Sequence, residues 1–294
     1  MKSQQDHPKH YSFEFYPPKG PKGNEALAEA RLQLAQLGPD FFSVTFGAGG
    51  TTRSGTLDTV VDTMRATGIS AAPHLSCIEG TRESIKEMVD SYRDAGVDRI
   101  VALRGDIPEG GEKLGVFSYA SELVAFIRKE YGDRFHLEVG CYPEVHPETP
   151  DPQADLDNFV RKVDAGADSA MTQYFYNADA YFDFVDRATA RGVNIPIVPG
   201  IMPFPAWPQI ERFSAMCGAD IPRWIATRMA AYHAKDDQQS VRDFGIELVT
   251  NLCTRLLDAG APGLHFYALN RADPTAAIWR NLGLPANNAA KQAV

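Results

Sequence analysis

The chain has 294 residues, 44% hydrophobic and 23% charged, enough apolar mass for one large core or two small ones. Its 29 basic and 38 acidic residues leave a formal charge of −9 with no basic tract. That argues against a nucleic-acid partner, and any anionic ligand must be met by local cations.

No apolar run approaches the roughly 18 residues of a membrane span, and residues 1–10 lack the apolar segment of a signal peptide. Cys77, Cys141, Cys217 and Cys253 form no Cys-x-x-Cys pair, a pattern that fits free thiols in a reducing cytoplasm.

Along the chain, Tyr11-Ser-Phe-Glu-Phe-Tyr-Pro17 alternates like a strand and stops at Pro17-Pro18. Asn24 can cap a helix reaching Leu37. Phe41–Phe46 is the next strand, and Gly47-Ala-Gly-Gly-Thr-Thr52 is a loop able to approach a ligand closely. Leu57, Val60, Val61 and Met64 mark a helix. Ser70–Cys77 is the third strand, and Thr81, with Glu83 and Ser84 in the first turn, opens a helix to about Asp94. Ile100–Leu103 is an apolar run too short for a helix, so it reads as a parallel strand buried on both faces.

Strands thus open near residues 11, 41, 70 and 99, spaced by 30, 29 and 29, the length of a β-loop-α-loop unit. The second half continues with strands at His136–Tyr142, Ser169–Tyr176 and Asn194–Gly200, and a helix from Pro152 to about Ala165. Helices at 207–217, Ile221–Tyr232 and Ser240–Asp258 precede a last strand at Gly263–Asn270, and Pro274 opens a closing helix. Eight strands alternating with helices predict a single-domain α/β fold, a (β/α)8 TIM barrel over residues 11–285 with extra helices before the last strand. Residues 1–10 read as a flexible N-terminus and 286–294 as a flexible tail. A doubly wound open sheet is the rival, weakened because no Gly-x-Gly-x-x-Gly follows the first strand.

A barrel places chemistry at the carboxyl ends of its strands. Those ends carry Glu14, Thr45, His74, Arg104 with Asp106, Tyr142, Gln173, and Tyr267 with Asn270 and Arg271. Glu14, flanked by Phe13 and Phe15, is the sharpest candidate, since burial raises a carboxyl pKa toward the range of a general acid. A structural pairing with Arg or Lys is the competing account. Asp106 follows a glycine and is more solvated, so the two carboxylates suit different tasks. Asp155, Asn158, Arg161 and Lys162 share one helix face, either simply solvated or matched to a phosphate-bearing cofactor. The histidines lack metal-ligand spacing, so no metal site is expected.

Eight segments in order, Ser12-Phe-Glu-Phe-Tyr-Pro-Pro18, Ser43–Gly50, Ala72–Cys77, Leu103-Arg-Gly-Asp106, Tyr142–Glu148, Lys162–Ala167, Thr172–Phe175 and Phe266-Tyr-Ala-Leu-Asn-Arg271, resemble 5,10-methylenetetrahydrofolate reductase of the short bacterial type. The resemblance implies FAD at the barrel mouth, NADH or NADPH as electron donor, methylenetetrahydrofolate as substrate and a homo-oligomeric assembly. By position it makes Glu14 the acid for opening the imidazolidine ring. Asp106 becomes an aspartate near flavin and pterin, Thr45 a donor near flavin N5, and Gln173 a pterin-binding amide. His74, Arg104, Tyr142, Asp155, Asn158, Arg161 and Lys162 become the FAD shell. Tyr267, Leu269 and Arg271 close the folate side.

Trp207 stands where the family has a phenylalanine that stacks on nicotinamide or folate, although packing at the start of its helix explains it too. A barrel that keeps the FAD pocket with another reductase substrate, or none, is the alternative. A metal-dependent hydrolase or an aldolase lacks its ligand set or strand-end lysine.

Overall fold

The computed structural model describes residues 1–46, 53–78, 80–105, 115–149, 151–204 and 206–286. One helical turn, α1 (Lys2–Gln5), precedes β1 (His10–Phe15) and α2 (Gly20–Ala35). The unit then repeats as β2 (Phe41–Val44), α3 (Arg53–Thr67), β3 (Ser70–Ser76), α4 (Arg82–Asp94), β4 (Arg99–Leu103) and α5 (Ala120–Tyr131). It continues through β5 (His136–Cys141), α6 (Pro152–Asp164), β6 (Ser169–Thr172) and α7 (Ala178–Ala190). Two short strands, β7 (Ile197–Val198) and β8 (Gly200–Ile201), are followed by α8 (Trp207–Cys217), α9 (Arg223–His233) and α10 (Gln238–Asp258). The last strand, β9 (Gly263–Tyr267), leads to α11 (Thr275–Asn281).

All pairings are parallel, in the order β7-β6-β5-β4-β3-β2-β1-β9-β8. β7 and β8 are two halves of one stave, so the architecture is the (β/α)8 barrel that the spacing predicted, with its extra helices before the last strand. Pro199 makes the break, because it has no N–H to add to a ladder. Its carbonyl still accepts from the His265 N–H at 3.0 Å, which keeps the stave joined to β9.

Strand alternation sorts side chains to two cores. Phe13, Phe15, Phe42 and Phe266 face outward, with Phe13 5.6 Å from the Trp279 ring of α11, and belong to the large core between sheet and helices. Inside the barrel, among the described residues, the apolar core is small: Phe41, Ala72, Val101 and Met171 with Leu103 against them. Polar side chains fill the rest of the lumen.

Several local expectations need correction. Residues 1–10 are not a loose arm. Gln4 is fully buried, donates to Ile195 O at 3.2 Å and accepts from Ile197 N at 2.8 Å, so α1 ties down the start of the split stave. Of the expected tail only Ala286 lies among the described residues. Lys19, not Asn24, is the residue before α2, because Pro21 fits the first turn and starts the helix early. β6 and β9 stop at Thr172 and Tyr267, leaving Gln173 and Asn270 just beyond the strands. α5 and α7 complete repeats for which the sequence alone assigned no helix. Among the described residues, no helix is long and apolar enough to cross a membrane.

Replacing Gln4 with Ala strands the buried Ile197 N–H, and the expected loss is about 1–3 kcal/mol in a urea titration with no change in m-value.

Candidate active site

Parallel pairing places Ser12 and Glu14 of β1 level with His265 and Tyr267 of β9, and Glu14 level with Ser43 of β2. Laterally paired residues point to one face of a sheet, so all five side chains enter the lumen. Glu14 is 13% exposed and sits at its carboxyl end. Three groups approach the same oxygen, Oε2: His74 Nε2 at 3.1 Å, His265 Nε2 at 3.4 Å and Ser43 Oγ at 3.4 Å. The His74 nitrogen is close but its N–H is off the line of a hydrogen bond, so its hold is mainly electrostatic.

Behind this oxygen, His265 Nδ1 lies 2.7 Å from Ser12 Oγ. A carboxylate cannot donate, so the arrangement that satisfies both contacts is Nε2–H toward Glu14 with Nδ1 accepting from Ser12.

These neighbours reverse the expected electrostatics of Glu14. Burial pushes its pKa up, but the two histidines pull harder, and it falls from an ordinary 4.5 to about 2. The carboxyl is therefore an anion at neutral pH in the free protein. Sequence reasoning saw Phe13 and Phe15 beside it, yet both point to the other face of the sheet. It missed Ser12, Ser43 and His265 as its partners. The signal was the every-second-residue spacing of Ser12 with Glu14 and of His265 with Tyr267, readable only once β1 and β9 are paired.

Other predicted residues gather at the same end. Thr45 follows β2, where its N–H bonds Phe15 O at 2.9 Å. Tyr267 Oη donates to Thr172 O at 2.7 Å. Gly200 permits this approach, since a Cβ there would stand 2.1 Å from Thr172 O and 2.8 Å from Tyr267 Oη. Gln173 is half-buried just past β6, where its side-chain oxygen accepts from Tyr174 N at 3.0 Å. Arg271 is exposed beyond β9, after Leu269 and Asn270, whose φ angles of 51° and 56° are left-handed. Asn270 fixes that turn with two hydrogen bonds to the Tyr16 backbone, at 3.0 and 2.9 Å.

Arg104, just past β4, ion-pairs with Glu148 at 2.8 Å. Tyr142 meets His146 edge-on at 4.5 Å, and Asp155 accepts from His146 N at 3.1 Å. On α6, Arg161 bonds Asn158 and lies 5.8 Å from the exposed Tyr119 ring, while Lys162 reaches inward to Gly140 O at 2.6 Å. Burial lowers the Lys162 pKa, and burial with the nearby Arg104 charge lowers that of His146. Three cations, Arg104, Arg161 and Lys162, thus gather here with Glu148 and Asp155 in a chain of net charge −9.

Cations beside flat aromatic rings fit the diphosphate and ring systems of a dinucleotide such as FAD. Trp207 takes the packed position, one of the two readings its sequence allows. It is 5% exposed and packed in the outer core, so presenting a ring face to a ligand requires it to leave that packing. Asp106 and the Gly47–Thr52 loop lie outside the described residues.

The family model for methylenetetrahydrofolate reductase matches residues 1–283. The 5,10-methylenetetrahydrofolate reductases of Pectobacterium carotovorum subsp. carotovorum and Escherichia coli (strain K12) are each 39% identical over 273 residues, covering 93% of this chain and 90% of theirs. Methylenetetrahydrofolate reductase (NADH) 1 of Arabidopsis thaliana is 37% identical over 287 residues, covering 93% of this chain and 48% of that protein. Among solved structures, a Clostridium thermocellum protein that binds two copies of 5-methyl-5,6,7,8-tetrahydrofolic acid shares the fold, with a TM-score of 0.67 and 16% identity over 96% of this chain and 97% of that one.

The Glu14 environment sets a pH signature. A carboxyl at 4.5 unfolded and about 2 folded stabilises the fold fully above pH 4.5 and loses that contribution as pH falls toward 2. The Glu14→Gln variant is expected to show a shallower loss of urea stability between those pH values than the parent.

Proposed function

The chain belongs to the methylenetetrahydrofolate reductase family, and we propose that it reduces 5,10-methylenetetrahydrofolate to 5-methyltetrahydrofolate with FAD, NADH or NADPH, and Glu14 as general acid. The observation that carries this reading is the buried carboxylate of Glu14 at the lumen's carboxyl end, gripped through one oxygen by two histidines.

Arg104, Arg161 and Lys162, with Tyr142, Asp155, Asn158 and His74, would hold FAD, and Thr45 would donate near its N5. Bound there, FAD would take hydride from the nicotinamide and deliver it to the folate in a second, separate step. Asp106, through the Leu103-Arg-Gly-Asp106 match, would tune the flavin potential and help hold the folate.

The chain's own task is to make the folate an acceptor. A methylene carbon closed between N5 and N10 is a poor electrophile. Protonating N10 lets that bond break and leaves an N5 iminium, which accepts hydride. Glu14 would deliver this proton. Ser43, His265 and His74 all approach its Oε2, which orients the carboxyl at the mouth.

Gln173 would meet the pterin edge with one donor and one acceptor. For that its side-chain oxygen must turn from Tyr174 N. Tyr267, anchored on Thr172 O, would wall the folate side, with Leu269 and Arg271 beside it. Trp207 would stack on the planar ligands only after leaving its packed position.

The anionic state of Glu14 constrains the order of events. The free protein holds no proton on this carboxyl at neutral pH, so one must arrive before ring opening. A folate seated over the mouth removes water from Glu14, and desolvation favours the protonated form.

In the Glu14→Gln variant, flavin bleaching by NADH or NADPH is expected to proceed as in the parent under anaerobic stopped flow. Its reoxidation by methylenetetrahydrofolate is expected to slow by about 10²-fold or more. Loss of both half-reactions with flavin still bound would remove Glu14 from this role.

A further inference from the structure

The lumen contains a second polar centre beneath Glu14. A cavity of about 30 Å³ lies at the amino-terminal end of the barrel, lined by Ser12, His265, His10, Arg99, His136 and Ser169 among others. His10, Arg99, His136 and Ser169 are each the first residue of their strand, which places the cavity opposite the mouth. The volume suits about one or two waters; Phe41, Met171, Pro196 and Val198 make much of the wall apolar, and the hydroxyls and imidazoles set into it are the partners a water would use. His10 and His136 have side chains 40% and 35% exposed, so the cavity borders solvent through two imidazoles.

Ser12 and His265 line this cavity and also lead to Glu14. Ser12 Oγ is 2.7 Å from His265 Nδ1, and His265 Nε2 is 3.4 Å from Glu14 Oε2. His265 is fully buried, and Ser12 is 2% exposed. The Phe41 ring stacks on the imidazole at 6.5 Å, and Tyr267 meets it edge-on at 5.2 Å, which fixes the ring plane. A serine, a histidine and a carboxylate in a row also describe an acyl-transfer triad. Here that reading fails, because the serine opens only into a cavity the size of one or two waters.

We infer that Ser12 and His265 form a proton relay that joins the cavity at the barrel floor to Glu14, so that the acid is charged from below while substrate covers the mouth. This rests on the reductase reading of Glu14.

In the forward step a cavity water gives a proton to Ser12 Oγ and regains one from the solvent that the cavity borders, as the Ser12 proton passes to His265 Nδ1. The Nε2 proton of His265 passes to Glu14 Oε2. Each O–H or N–H bond formed matches one broken, the water is left neutral, and no electrons are exchanged. When the mouth reopens, Nε2 regains a proton through Glu14, and the Nδ1 proton returns through Ser12 to the cavity.

Charged groups flank the path at both ends, and Asp40 lies 3.6 Å from His10 at the floor. Glu14 and His74 stand above it and Tyr267 beside it. Arg99, ion-paired with Glu138, and the histidines His10 and His136 stand below. His136 Nε2 also lies 2.6 Å from Ser169 Oγ, so it has a hydroxyl partner on the cavity wall.

The test uses Ser12→Ala, which breaks the path while leaving His265 and Glu14. Ser12→Thr restores the hydroxyl. His265→Gln keeps an N–H toward Glu14 but cannot relay. In flavin-loaded protein, folate-driven reoxidation is expected to slow by about 10-fold or more in Ser12→Ala and His265→Gln and to recover in Ser12→Thr. The solvent deuterium effect on that step is expected to grow in the two slow variants, and bleaching by nicotinamide to stay at the parental rate.

Parental reoxidation in both Ser12→Ala and His265→Gln overturns the relay, and parental reoxidation in His265→Gln alone reduces His265 to a positioning residue. Independently of turnover, 15N NMR of histidine-labelled protein is expected to show His265 protonated at Nε2 and its Nδ1 signal displaced in Ser12→Ala. A proton on Nδ1 instead, or no displacement, overturns the relay. A parent protein that bleaches but is not reoxidised by methylenetetrahydrofolate fails the reductase reading, and the NMR result then still decides the relay.

Discussion

Pairing of β1 with β9 is the constraint from which the site follows. Five residue pairs, His10 with Gly263 through Glu14 with Tyr267, join the beginning of the barrel to its end. Without this pairing β1 would be an open edge, and Glu14 would lie some 250 positions along the chain from His265. Closure sets Ser12 level with His265 and Glu14 level with Tyr267. The pairing determines at once which side chains face inward, how they are spaced and which carboxylate oxygen they surround. Gln4 and Asn270 reinforce it from either side. Gln4 holds the split stave that borders β9, and Asn270 holds the backbone just after β1.

The lumen carries the chemistry because its apolar content is so low. Phe41, Ala72, Val101 and Met171 make a single thin plug. Above it lie Glu14, His74 and Ser43, and below it lie Arg99, Glu138 and His136. Such a polar interior survives because neighbouring strands satisfy it: Ser12 bonds His265, His136 meets Ser169, and Arg99 pairs with Glu138. The outer core, where Phe13 meets Trp279 and Phe175 stacks on Tyr181 at 5.5 Å, holds the helices to the sheet. Stability and chemistry therefore occupy opposite faces of the same strands.

What the sequence disclosed was local. Strands read near residues 11, 41, 70 and 99 begin at 10, 41, 70 and 99, because apolar period and turn residues are written within each unit. Thr45, Arg104, Tyr142 and Gln173 were placed at strand ends for the same reason. What stayed hidden depends on distant parts of the chain. The charge on Glu14 is set by histidines from β3 and β9, and neither flanking phenylalanine shares its face. α1 is short and polar, and its role appears only where Gln4 meets Ile197. Trp207 reads either as a stacking ring or as packing at the start of its helix, and only the folded outer core shows it packed. The eight family segments named the chemistry more directly than any periodicity did, since they fixed the order of the rim residues before the barrel was drawn.

The thin apolar plug also has a meaning for protein engineering. Buried ion pairs and hydroxyls are often less stabilising than well-packed hydrocarbon of the same volume. Positions such as Ser12, Ser169 and Glu138 would attract Val, Ile or Met in any redesign aimed at melting temperature alone. The result would be a sturdier barrel with its interior wiring removed, an instance of the conflict between robustness and activity. In this fold that conflict is confined to alternate residues of a few strands. Thermostabilising changes belong on the outward-facing neighbours and the helix surfaces, where they leave the lumen untouched.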